Sequence, residues 1–197
     1  MSEQAKTRQR PADVYFFATC VVDQFFPGAG MDAITLLEKQ GIRVHFPEEQ
    51  TCCGQPAYTS GFPDEARKVA AHQLTLFPND WPVVVPSGSC AGMMKHHYPT
   101  LFAADPQRKA KAEALSARIY EFTDFLVNVL GWQPEDKGGD CTVVLHTSCS
   151  ARREMGVHLT GRKLLGGLDK VTVAMQDHES ECCGFGGTFS IKQPEIS

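Results

Sequence analysis

Eight cysteines stand at positions 20, 52, 53, 90, 141, 149, 182 and 183 of the 197-residue chain. Twice, two of them are adjacent and followed by glycine: Cys52-Cys53-Gly54 and Cys182-Cys183-Gly184. Adjacency restricts their chemistry. Neighbouring Cα atoms across a trans peptide lie about 3.8 Å apart, whereas an ordinary disulfide spans about 4.4–6.8 Å, so a bridge between neighbours is strained. A single zinc ion usually takes spaced pairs that let the chain wrap around it, and no C-x-x-C occurs here. Two neighbouring thiolates can instead reach a multi-iron cluster from one short loop, and iron–sulfur clusters are held by cysteine thiolates. The glycine after each pair lets the backbone turn tightly beside a bulky group.

The cysteines also repeat. Cys20 lies 32 positions before Cys52, and Cys149 lies 33 positions before Cys182. The flanks agree: DVYFFATC ends at Cys20 and TVVLHTSC ends at Cys149. An internal repeat sets the architecture before any single element does. The first copy continues to VVVPSGSC, ending at Cys90. The offset would put a matching cysteine at about position 220, so the second copy is expected to be incomplete. The expected organisation is a first lobe over 13–130, a linker GWQPEDKGGD over 131–140, and a second lobe over 141–197.

The elements that must carry these residues alternate. Strands are expected at 14–18, 42–46, 83–85, 142–146 and 171–174. Helices are expected at 31–39, 64–76, 110–130 and 152–165. In the long helix at 110–130, Leu115, Ile119, Phe122, Leu126 and Val129 form one face. Strands alternating with helices imply an α/β fold with a parallel, Rossmann-like sheet in each lobe. Cys20, Cys90 and Cys149 each follow a strand, as do both C-C-G loops, and in such sheets ligands bind at the carboxyl edge. Cys20, Cys52, Cys53 and Cys90 are therefore expected around one crevice, and Cys149, Cys182 and Cys183 around another. Helices starting just after Cys90 and Cys149 would aim N–H groups at an anionic cluster.

Composition excludes several classes. Net charge is −4, with no basic stripe of the kind nucleic-acid binding shows. No apolar run approaches a membrane span. The polar stretch MSEQAKTRQRPAD has no apolar region after it, so no signal peptide is expected. The expected compartment is the cytoplasm, where thiols serve metals or redox chemistry more than structural disulfides.

The pattern C-x31-C-C-G-x35-C resembles the cysteine-rich CCG domain of iron–sulfur oxidoreductases, the family typified by heterodisulfide reductase. That family also includes components of anaerobic glycerol-3-phosphate dehydrogenases and of lactate utilization systems. PSGSCAGM and CCGFGGTFSIKQPEIS are most similar to the lactate utilization branch. The resemblance runs from about residue 13 to 197. It implies an iron–sulfur redox subunit, an oxidoreductase component that acts with two partner proteins, one ferredoxin-like, to oxidise L-lactate to pyruvate. It assigns Cys20, Cys52, Cys53 and Cys90 as ligands of a first site, expected to hold a 4Fe–4S cluster. It assigns Cys149, Cys182 and Cys183 to a second, incomplete site. Two positions depart from the family: Met93 stands where a further cysteine is usual, and Ser150 where a histidine is. Catalytic residues are not assigned. A different class of reading keeps the thiols without electron transfer: a zinc-stabilised or thiol-sensing binding module.

Other residues carry blander expectations. Cys141 fits no repeat position and is read as a buried bystander. Gly28-Ala29-Gly30-Met31-Asp32-Ala33 matches a dinucleotide pattern but lies too far beyond the strand, so it is read as the loop that starts a helix. His146 is read as either a cluster neighbour or a satisfied core histidine, and His178 likewise, with the bland reading favoured. His96 and His97 are expected at the surface, and Met93 and Met94 in the core.

Overall fold

The computed structural model of the protein describes residues 10–197; residues 1–9, part of the stretch expected to lack a leader, lie outside the described residues. The first half runs β1 (Asp13–Phe16), α1 (Cys20–Phe25), α2 (Pro27–Lys39), β2 (Arg43–His45), α3 (Gln55–Thr59), α4 (Pro63–Gln73), β3 (Val83–Val85) and α5 (Gly88–Gly92). A π-helical stretch (Met93–His97) leads into α6 (Tyr98–Leu101), α7 (Pro106–Ser116), β4 (Ile119–Glu121), α8 (Phe122–Asp124) and a second π-helical stretch (Phe125–Val129). After an irregular segment come β5 (Cys141–Val144), α9 (Cys149–Met155), α10 (Val157–Leu165), β6 (Val171–Ala174) and α11 (Thr188–Lys192).

Among the described residues the strands form two sheets, β2-β1-β3-β4 and β5-β6, and every pairing is parallel. The expected α/β class with two parallel sheets is thus observed. The two central strands are apolar on both faces, as strands covered by helices on both sides must be. Tyr15 and Phe17 with Val83 and Val85 enter one core, which includes Cys53, Cys90, Met93, Met94 and Tyr98. Val14, Phe16 and Val84 enter the other, with Leu37, Phe125 and Leu126. The alternation follows the two-residue period of a strand. Edge strand β2 is held from the side as well: Asp13 pairs with Arg43 at 3.2 Å and with His45 Nε2 at 2.7 Å.

The strand order reverses between β1 and β3, since the chain leaves β1 for β2 on one side and for β3 on the other. A crevice at the carboxyl edge of such a reversal is where open α/β sheets bind ligands.

Three expectations are corrected. The helix expected over 110–130 ends at Ser116, and Ile119–Glu121 instead pairs with Val83–Val85 as an edge strand. Sheet pairing and burial of Ile119 decide the outcome over helical spacing, and the Glu121 carboxylate then caps the next turn, accepting from the backbone N–H groups of Thr123 and Asp124. The helix expected over 152–165 breaks at Gly156, whose φ of 65° ends α9 and begins α10. The helices expected just after Cys90 and Cys149 begin earlier: α5 starts two residues before Cys90, and α9 starts on Cys149 itself. Gly28 and Gly30 lie inside the first turns of α2, and no glycine turn follows β1 directly.

The helices beside the two sheets meet along a seam. Helices α5 and α9 approach closely because α5 carries glycines four apart: a Cβ on Gly88 would lie 2.5 Å from the Cβ of Ala151, and one on Gly92 would strike the Glu154 carboxylate. His96 Nε2 lies 3.1 Å from the Glu154 carbonyl and His97 Nε2 lies 3.3 Å from its carboxylate. Hydroxyl pairs Thr123–Thr160 (2.6 Å) and Ser60–Thr188 (2.7 Å) cross the same seam.

Candidate functional site

Cys20, Cys52, Cys53 and Cys90 lie at the carboxyl edge where the strand order reverses. Cys20 is the first residue of α1, four positions beyond β1. Thr19 before it has φ 63°, and its side chain accepts from Val22 N–H as the helix cap. A β-branched residue with positive φ is a true outlier, and such strain collects at functional sites. The Gln50 amide ties the two loops together. Its oxygen accepts from Ala18 N–H at 2.9 Å and its nitrogen donates to the Phe16 carbonyl at 3.2 Å. This clamp carries the following Cys52 to Cys20, whose sulfurs stand 3.8 Å apart. Gly54, with φ 85°, closes the turn by donating its N–H to the Cys52 sulfur at 3.4 Å. A Cβ there would sit 3.4 Å from the Ala66 carbonyl in a conformation that side chains rarely adopt. Cys53 (1% exposed) and Cys90 (7%) lie inside, and the fully buried Tyr98 donates its hydroxyl to the Cys53 carbonyl at 2.9 Å.

All eight cysteines are free thiols. The Cys20 thiol donates to the Cys52 sulfur at 3.8 Å, while Cys52 with Cys53 and Cys53 with Cys90 bias one another's ionisation. Their ionisation divides accordingly. The neighbouring Cys53 thiol, with help from Gly54 N–H, brings Cys52 down to about 5. Hydrogen bonds to Cys52 and Cys90, together with burial, push Cys53 far up. Burial and the Cys52 charge push Cys20 up to about 11. Cys90 is lowered, first by Cys53 and then by the Ser87 and Ser89 hydroxyls, against the effect of burial. Burial, followed by the surrounding thiols, keeps Tyr98 a neutral phenol.

This donor set fits an iron–sulfur cluster. It is all sulfur, which suits soft thiolate-bound metal, and two of its members are buried where thiolates need a compensating positive charge. Burial and like charge oppose the ionisation of Cys20 and Cys53, which a bound metal centre would reverse. Among the described residues, no three Cys, His, Asp or Glu side chains converge as they would on a single metal ion; the four thiols are spread along the sheet edge, with Cys20 and Cys52 in contact.

The second C-C-G repeats the local geometry of the first. Gly184 has φ 82° and donates to the Cys182 sulfur at 3.4 Å. Here the likeness stops. Cys182 and Cys183 are exposed, Cys149 is half-buried, and no thiol–thiol hydrogen bond joins the three among the described residues. Glu179 on the same loop lies between Arg152, at 3.0 Å, and Arg162, which fixes the loop to α9 and α10.

The remaining residues divide. Cys141 is exposed at the start of β5, not buried as expected, on an edge strand of a two-stranded sheet that is largely exposed along its length. His146 and His178 are both exposed, so neither is a core histidine, and His178 Nδ1 is paired with Glu181 at 2.6 Å. His96 is exposed as expected, while His97 is half-buried against Tyr58 and Glu154. Met93 and Met94 are fully buried. Sequence spacing did not reveal Gln50, Ser87, Ser89 or Tyr98. Polar residues flanking the cysteines were the available signal, a weak one in a loop.

A family model described as a cysteine-rich domain, CCG, matches residues 14–95 and 143–197. Lactate utilization protein A 1 of Bacillus mycoides is 46% identical over 187 residues, covering 93% of this chain and 75% of the relative. Lactate utilization protein A of Shouchella clausii is 43% identical, covering 94% and 77%, and that of Exiguobacterium sp. is 43% identical, covering 94% and 76%.

Proposed function

The chain belongs to the cysteine-rich CCG-domain family, and from that premise we propose that it is an iron–sulfur redox subunit of a system that oxidises L-lactate to pyruvate. The observation that carries the reading is the row of four free thiols, Cys20, Cys52, Cys53 and Cys90, at the reversal of a parallel sheet. The substrate comes from the names of the relatives. Two partner proteins, one of them ferredoxin-like, and a cytoplasmic setting complete the proposal; among the described residues no helix is long and apolar enough to cross a membrane.

In this reading the four thiols hold a 4Fe–4S cluster, which supplies one-electron transfer when bound. The protein's own contributions are distinct. Gly54 N–H donates to the Cys52 sulfur, the Ser87 and Ser89 hydroxyls lie at Cys90, and the apolar core around Cys53 and Cys90 excludes water. Hydrogen bonds to sulfur and burial both set the potential of such centres. Cys149, Cys182 and Cys183 belong to a second site on the second lobe, 141–197, joined to the first, 13–130, by the segment 131–140.

The test uses the protein purified anaerobically with its two partners. The broad iron–sulfur absorbance near about 400 nm should bleach on addition of L-lactate. A band that bleaches with dithionite and ignores lactate would remove the substrate assignment and leave the cluster.

A further inference from the structure

We propose that Tyr98 is a positioning residue of the first thiol site: its buried phenol fixes the Cys53 carbonyl, and through it the direction in which the C-C-G turn presents its thiols. The consequence for the loaded protein rests on the metal-binding reading above; the effect on the thiols themselves does not.

Tyr98 is fully buried and its hydroxyl reaches the Cys53 carbonyl at 2.9 Å. Cys53 is itself buried, so no water replaces the phenol when it is removed, and a buried carbonyl without a partner is costly. The backbone of Cys53 links two thiols, since Cys52 precedes it directly. A fixed carbonyl there fixes the peptide plane next to both.

The path from Cys90 to Tyr98 supports this role. The two are eight positions apart, and in an unbroken α-helix they would point about 80° away from each other. Between them the chain forms the π-helical stretch Met93–His97. A π turn takes in an extra residue, and such bulges are frequent at functional sites. The wider turn reduces the rotation between the two residues, so Cys90 and Tyr98 enter the same buried cluster as Cys53. Helix α6 then carries Tyr98 with no further partner for its hydroxyl among the described residues.

The test compares the full chain with its Tyr98→Phe variant, which keeps the ring and removes the hydroxyl. In metal-free protein, iodoacetamide alkylation is followed by mass spectrometry, with exposed Cys141 as the internal reference. The Cys53 rate relative to Cys141 should rise about fivefold, the factor expected of one ordinary hydrogen bond. In iron-loaded protein the paramagnetic resonance spectrum and midpoint potential should shift. A lower melting temperature with an unchanged Cys53-to-Cys141 ratio and unchanged spectrum would make Tyr98 core filling only and overturn the proposal. If the parent chain binds no iron, the metal reading fails while the alkylation ratio still decides the role of Tyr98. If Tyr98→Phe does not fold, 3-fluorotyrosine placed at position 98 keeps the shape and strengthens the donor. Cys53 should then react more slowly than in the parent, and an unchanged ratio would overturn the proposal.

Discussion

Cys52 and Cys53 are neighbours in the chain and opposites in ionisation. The proton the pair shares sits on Cys53, which is buried, and the charge sits on Cys52, where Gly54 N–H meets it. The pH dependence follows. Cys52 is lowered to about 5, so its thiolate persists down to that pH, well below the ordinary thiol range. Cys20 is raised to about 11 and stays protonated at neutral pH. In metal-free protein the alkylation of Cys52 should be nearly flat above about pH 6, while that of Cys20 should climb through pH 9 and beyond. Peptide-mapped rates from pH 5 to 11 check this, and a Cys52 profile rising with an ordinary thiol midpoint would refute the division. The ligand set was legible in the sequence because spacing records it: two C-C-G triplets and the cysteines upstream. Gln50 and Tyr98 were not legible. Each acts on the backbone of another loop, and a bond to a carbonyl more than thirty residues away leaves no local pattern.

Among the elements, α5 does two things at once. It buries Cys90 for the first site, and it presents Gly88 and Gly92 to α9, which follows β5. The two glycines differ in what they face. A Cβ on Gly88 meets the Ala151 backbone and Cβ, which cannot yield without moving α9. A Cβ on Gly92 meets the end of the Glu154 side chain, which can swing away. Gly88→Ala should therefore destabilise by about 1–3 kcal/mol, the usual cost of overpacking, and Gly92→Ala by clearly less. Urea unfolding of the two variants measures the difference, and equal costs would contradict the seam as described. The segment 110–130 shows where sequence reading fails. Its apolar spacing suits a helix, yet Ile119–Glu121 joins the sheet edge beside β3. No glycine or proline marks the change at Ser116, so only long-range pairing reveals it. Strand 83–85 was legible as a short β-branched run buried in a parallel sheet, and 171–174, which stays partly exposed, by its β-branched residues alone.

Over the whole molecule, the repeat in the sequence becomes two parallel sheets with like C-C-G turns, Gly54 at φ 85° and Gly184 at φ 82°. The likeness is local. Beside the four-stranded sheet the turn is covered by α4, α5 and α6, and its Cys52 sulfur meets Cys20. Beside the two-stranded sheet the same turn is exposed. The central claim is accordingly that the first four cysteines hold an iron–sulfur cluster. Iron, zinc and acid-labile sulfide per chain, measured on anaerobically purified protein beside its Cys53→Ser variant, test it most directly. The parent should hold at least about four irons and four sulfides, the content of one 4Fe–4S centre, with about that amount lost in the variant. Zinc in place of iron, no metal, or an iron content indifferent to the loss of Cys53 would contradict it.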